Sequence, residues 1–158
     1  MNLRYKTKGQ RHGTAAVELA VCAPLLLVLL TGVWEVGRMV TAQQIIANAA
    51  REGGREVAAG QQSAATIQQY VVNYCNINGL NNVTTSMVTI TNVTNSSRSD
   101  PRTATQLDQF HIAVTVPYTT ISWSAIPQIT PTSTLTASAD WYSMKDSPLT
   151  VTPTIPSN

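Results

Sequence analysis

Residues Ala15 to Trp34 read AAVELAVCAPLLLVLLTGVW, twenty residues broken by one charge, Glu18, and one proline, Pro24. Coiled as a helix at 1.5 Å per residue, the run is roughly 30 Å long, the thickness of a bilayer's hydrocarbon core. A chain of 158 residues folds one ordinary domain, whose interior is too narrow to surround a segment apolar on every face. The run therefore reads as one transmembrane helix. Composition agrees: 11% of the residues are charged, under half of the ~25% of a soluble domain. A large multidomain enzyme is excluded by length.

Charge orients the helix. Arg4, Lys6, Lys8 and Arg11 precede it without an acid among them, leaving six bases against eight acids downstream. The positive-inside bias places this end in the cytoplasm, Trp34 at the far interface and the rest of the chain outside. The same topology signal accounts for the basic cluster, so no nucleic-acid partner is expected. A secretory signal peptide needs a small-x-small cleavage site after the apolar run, and none follows. At Leu19-Ala20-Val21-Cys22 most of the apolar run lies after the cysteine, which argues against lipidation.

Glu18 is the anomaly, because an acid in an apolar helix costs about 2.5 to 3.5 kcal/mol near the bilayer centre and less near its edge. One reading is snorkelling to cytoplasmic headgroups, a turn away. The other comes from its neighbours, Arg11-His12-Gly13-Thr14-Ala15-Ala16-Val17-Glu18: a basic leader, a glycine, and an acid five residues on. This segment resembles the prepilin-peptidase site of the type IV pilin superfamily. The resemblance implies cleavage between Gly13 and Thr14, loss of residues 1–13, and Glu18 as the fifth residue of the mature chain. A new amine at Thr14 can neutralise a glutamate of its own or a neighbouring subunit in low dielectric. Glu18 then acts as an assembly register.

The similarity continues to Gly60. The ordered set Glu18, Pro24, Glu35-Val36-Gly37-Arg38 and Ala49-Ala50-Arg51-Glu52-Gly53-Gly54-Arg55 resembles the TadE-like minor pseudopilins of the tight-adherence (Flp, type IVb) pilus system. Two positions depart from the pattern: Leu19 replaces an aromatic, and Gly54 replaces a small residue with a side chain. The resemblance implies a pilin-like α+β fold and a role in pilus assembly or initiation. Its implied partners are prepilin peptidase, other pilin and pseudopilin subunits, and the inner-membrane assembly platform. The expected division is a leader at 1–13, a transmembrane helix at 14–34, a helical stem at 35–60, an extracytoplasmic α+β domain at 61–146 and an extended tail at 147–158.

Beyond Trp34, Val36, Met39, Val40, Gln43, Ile46, Ala47, Ala50, Val57 and Ala58 fall near the spacings of one helical face, predicting a helix from Thr14 to about Ala59, roughly 70 Å long. Glu35 and Arg38 are one turn apart, as are Glu52 and Arg55, so two local ion pairs are available, or simply a solvated face. Gly53-Gly54, costing about 1 kcal/mol per glycine against alanine, marks either a bend or a close contact. Pro24 removes one helical hydrogen bond and is a candidate kink.

In the distal region, Ser63 is placed to cap a short helix from Ala64 to about Cys75, and Asn76 to Asn82, with Gly79, reads as a turn. Alternation predicts three strands of a small antiparallel sheet, Val83–Val93, Phe110–Tyr118 and Leu135–Trp141, with Pro117 ending the second or marking an edge. Asn95–Thr105 reads as a polar loop and Ile121–Thr134 as a long irregular connection containing Pro127 and Pro131.

Signs of catalysis are missing from the sequence. It has no phosphate-cradling loop with lysine, no nucleophile elbow and no dinucleotide fingerprint. Asp100, Asp108, Asp140 and Asp146 have no spacing that pairs them and read as surface or turn residues. His111 lacks the neighbours of a metal site and reads as a solvent-facing strand residue. No cofactor is expected. Cys22 and Cys75 fall on opposite sides of the membrane boundary, so Cys75 reads as a buried thiol, with a bridge between subunits as the alternative. The sequons at Asn82, Asn92 and Asn95 read as chance products of an Asn- and Thr-rich region. The competing function is a single-pass anchored binding module that is never cleaved.

Overall fold

The structure, a computed structural model, describes residues 11–121 and 133–145. The leader up to residue 10, most of the irregular connection with Pro127 and Pro131, and the tail with Pro148, Pro153 and Pro156 lie outside the described residues.

Helix α1 spans Arg11–Ala59, 49 residues, beginning three residues before the expected Thr14 and running through Pro24 and Gly53-Gly54. It stops at Gly60, whose φ of +64° suits glycine and whose N–H bonds to the Val57 carbonyl at 3.0 Å. Helix α2 spans Ala64–Ile77, and its cap is the expected one: Ser63 Oγ accepts from the Thr66 N–H at 3.2 Å. Ile67, Val71, Val72 and Cys75 form its buried stripe.

Three antiparallel strands follow, β1 (Val88–Asn92), β2 (Gln109–Pro117) and β3 (Thr134–Tyr142), with β2 in the centre. The first strand is half its expected length. Ahead of it, Met87 N–H bonds to the Thr84 carbonyl at 3.0 Å and the Thr84 and Ser86 hydroxyls meet at 2.9 Å, closing a 3-10 turn over Thr85–Met87. Local hydroxyl bonds there compete with the ladder, which alternation alone does not reveal. Pro117 is the last residue of β2, as its missing N–H requires.

Registers bring the apolar faces into line. Val88, Val114 and Ala137 are neighbours across the strands, as are Ile90, Ile112 and Ala139, and Phe110 faces Trp141. This face packs beneath α1 and α2 with Ile46, Ala50, Val57, Ile67 and Val71, each large buried side chain contributing ~1.5–3 kcal/mol. Two glycines let the helix come this close. A Cβ at Gly53 would lie 2.6 Å from Val71 Cγ2 on α2, and one at Gly54 would lie 2.0 Å from Trp141 Cδ1 on β3. The glycine pair therefore marks a contact, and the helix continues through it.

The link between β1 and β2 is held by a buried polar knot. Asn92 Nδ2 donates to the Arg98 carbonyl at 3.0 Å and to Asp108 Oδ2 at 3.3 Å, while Asp108 Oδ2 also accepts from Thr105 N–H at 2.9 Å. Asp108 is 4% exposed, so reading it as a surface residue is corrected: it is a turn residue whose carboxylate is inside. The buried, bonded side chain of Asn92 also explains why its sequon has no accessible acceptor.

Candidate functional site

The chain's chemistry-bearing positions lie along α1, and the helix divides sharply at Ala42. No residue from Gly13 to Thr41 is buried, whereas Ala42, Ile46, Ala49 and Ala50 are covered by the domain. The uncovered length is roughly 43 Å at 1.5 Å per residue, more than a hydrocarbon core of ~30 Å. Leu25 to Leu30, all exposed, give it an apolar surface on every side. It is long and apolar enough to cross a membrane, and as a single N-terminal helix it fits a single-pass anchor. Gly13, Thr14 and Glu18 all lie on this projecting part, exposed and helical, with Pro24 inside the run.

Of the helical face expected above Trp34, Ile46, Ala50, Val57 and Ala58 are buried and Ala47 half-buried. Val36, Met39 and Val40 are exposed below the start of the domain, and Gln43, also exposed, donates Nε2 to the Thr136 carbonyl at 2.9 Å. At that lower edge two side chains fasten the helix to the domain. The Tyr118 hydroxyl donates to Glu35 Oε1, and Arg38 Nε donates to the Ile121 carbonyl at 3.0 Å. The Glu35–Arg38 pair available from spacing does not form among the described residues, since each partner is engaged by the segment leaving β2. Burial first, and the Glu35 carboxylate second, push the Tyr118 hydroxyl up to about 12. Sequence reading missed Tyr118, because nothing local distinguishes it from a strand-end aromatic.

The upper motif splits between inside and outside. Ala50 and Gly53 are buried, Arg51 is exposed and donates to Asn48 Oδ1 at 3.3 Å, and Gly37 faces open space. The Glu52–Arg55 pair does form, at 2.8 Å, and Tyr70 of α2 donates its hydroxyl to the same carboxylate at 3.0 Å. The Arg55 hydrogen bond, with help from Tyr70, holds Glu52 below the usual carboxylate range.

On the opposite, outward face of the sheet, His111 Nδ1 lies 2.7 Å from Asp140 Oδ1. No group of three or more His, Cys, Asp or Glu side chains placed to hold a metal occurs among the described residues. The described geometry is a long apolar helix with no buried residue from Gly13 to Thr41, its upper part packed on an α+β domain. The decisive comparison falls on the same helix: residues 13–55 match the family model of the TadE-like proteins. Those residues are similar to the TadE-like proteins. No curated protein and no solved structure matches the chain.

The TadE-like segment begins at Gly13 and ends at Arg55, so it takes in the uncovered anchor and the lower part of the stem that packs on the domain. A match to this family suggests an association with the tight-adherence pilus system, and it rests on residues 13–55.

Proposed function

We propose that this protein is a minor pseudopilin needed to assemble or initiate a tight-adherence pilus. Prepilin peptidase cuts between Gly13 and Thr14, removing residues 1–13 with all four leader charges. Residues 14–34 hold the subunit in the inner membrane, the stem of residues 35–60 continues outward, and the α+β domain of residues 61–146 lies outside the cytoplasm. The freed amine of Thr14 meets Glu18, of the same subunit or a neighbour, and fixes the register in which pilin helices pack. The protein acts through helix packing with other pilin and pseudopilin subunits at the assembly platform. The observation that carries this reading is a TadE-like match beginning at the candidate cleavage glycine, on a helix left uncovered through residue 41.

Glu18→Ala in the intact pilus system tests it. The expected result is normal cleavage at Gly13 with pili lost. An uncleaved anchored binding module predicts the reverse: better membrane insertion, by the ~2.5–3.5 kcal/mol or less that an intramembrane acid costs, and pili unaffected.

A further inference from the structure

Where α1 leaves the bilayer, a groove of about 170 Å³ separates it from the turn after α2. Arg38, Thr41 and Ile45 of α1 line it together with Asn78 and Gly79 of the turn, and Ile121 also borders it. Among the described residues, nothing lies within 4 Å of where a Cβ of Gly79 would stand. Arg38 is exposed and uses Nε on the Ile121 carbonyl; its two terminal nitrogens have no hydrogen-bond partner among the described residues. Nor has it a carboxylate within ion-pair distance there, because the nearest acid in sequence, Glu35, accepts the Tyr118 hydroxyl instead.

Depth says what this cation meets. With Ala15–Trp34 centred across the bilayer, between Pro24 and Leu25, Arg38 stands about 20 Å from the midplane at 1.5 Å per residue. Hydrocarbon ends at about 15 Å and headgroups extend to about 20–22 Å. The guanidinium is therefore level with lipid phosphates on the non-cytoplasmic side, and its remaining edge, one N–H from each terminal nitrogen, matches the bidentate geometry of a phosphate. We propose that this groove binds the phosphate of one phospholipid of the non-cytoplasmic leaflet through Arg38, the polar end of the headgroup lying beside Asn78 and Gly79. The same side chain then holds both lipid and domain, so the bound lipid sets the depth and tilt of the subunit, and the subunit leaves the bilayer only by releasing it. This deepens the membrane part of the proposed function and rests on the transmembrane placement of α1.

The test uses the full chain in nanodiscs of phosphatidylethanolamine and phosphatidylglycerol, released and weighed by native mass spectrometry. One retained phospholipid per chain is expected, with retention falling about tenfold or more, equivalent to ~1.4 kcal/mol, in Arg38→Gln. Because Arg38 also fastens Ile121, Thr41→Glu is the second variant: it is exposed, sits one turn above Arg38, and offers the guanidinium a competing carboxylate. It loses the lipid to a similar extent with unchanged circular dichroism, while Arg51→Gln retains it. Discs of a phosphate-free glycolipid give no retained lipid, and excess inorganic phosphate does not displace the phospholipid. Equal retention in the wild type and in folded Thr41→Glu overturns the site, and full displacement by inorganic phosphate overturns its assignment to lipid. A chain that fails to enter nanodiscs at all overturns the transmembrane placement and the inference with it.

Discussion

The Trp141 indole of β3 lies against the bare backbone of Gly54 in α1, 2.0 Å from where a Cβ would stand. Strand and helix can close to this distance only because the side chain is missing. Gly54 is one of the positions where the sequence departs from the TadE-like pattern, and Trp141 is what occupies the space released.

Gly54→Ala therefore sets two effects against each other. Alanine gains ~1 kcal/mol of helix propensity, but the indole has to move, and overpacking a closed contact costs ~1–3 kcal/mol. A net loss of up to ~2 kcal/mol is expected, with a similar sign for Gly53→Ala, where Val71 Cγ2 is 2.6 Å away. Gly37→Ala meets open space and should gain stability by up to ~1 kcal/mol. Chemical unfolding of the full chain in detergent measures all three. Gly54→Ala proving as stable as Gly37→Ala would sink the account of the contact, and restored stability in Gly54→Ala/Trp141→Leu would support it.

The Gly53-Gly54 pair also shows how far the sequence could be read. Two glycines in a helix announce a bend or a contact, and only the fold decides between them, because Val71 and Trp141 are distant in sequence. The long helix, the Ser63 cap, the alternation through Phe110, Ile112, Val114 and Val116, and the end of β2 at Pro117 were legible because each depends on local periodicity or local backbone chemistry. Glu35 and Arg38 were visible as charges one turn apart, yet their partners, Tyr118 and the Ile121 carbonyl, lie 83 residues away. The burial of Asp108 was hidden for the same reason: a carboxylate satisfied by Asn92 and Thr105 looks, residue by residue, like any loop acid.

Asp108 makes stability depend on acid. The Thr105 N–H first, then Asn92 and the Arg98 charge, hold its carboxyl below the usual range against the opposing effect of burial. A lowered folded-state pKa stabilises the domain above the unfolded value of about 3.9, and that contribution is lost as pH falls from there through the folded value. Asp108→Asn should cost ~1–3 kcal/mol near neutrality, as a buried hydrogen-bond network is broken, and should flatten the loss of stability below about pH 4. Unfolding curves at a series of pH values check this. An unchanged acid slope in the variant would show that Asp108 is not the group responsible.

Cys75 is buried in the α2 stripe, and burial pushes its thiol up to about 11. At neutral pH it should be almost wholly protonated and shielded, so a water-soluble maleimide should leave it unlabelled in the folded protein and modify it after unfolding in detergent. Cys22, exposed on the apolar part of α1 that the proposal places in the membrane, should likewise be protected in nanodiscs. Mass spectrometry before and after unfolding counts the adducts. Rapid labelling of Cys75 in the folded chain, or a dimer that disappears on reduction, would favour the bridge between subunits.

The central claim is that this helix enters the pilin pathway, and the N-terminus reports it directly. Intact mass and N-terminal sequencing of the membrane-purified protein, made with and without a prepilin peptidase of the same system, read the outcome. The account predicts a chain that begins at Thr14 only when the peptidase is present. A chain that keeps residues 1–13 in both cases contradicts it and leaves a permanent anchor carrying an extracytoplasmic domain.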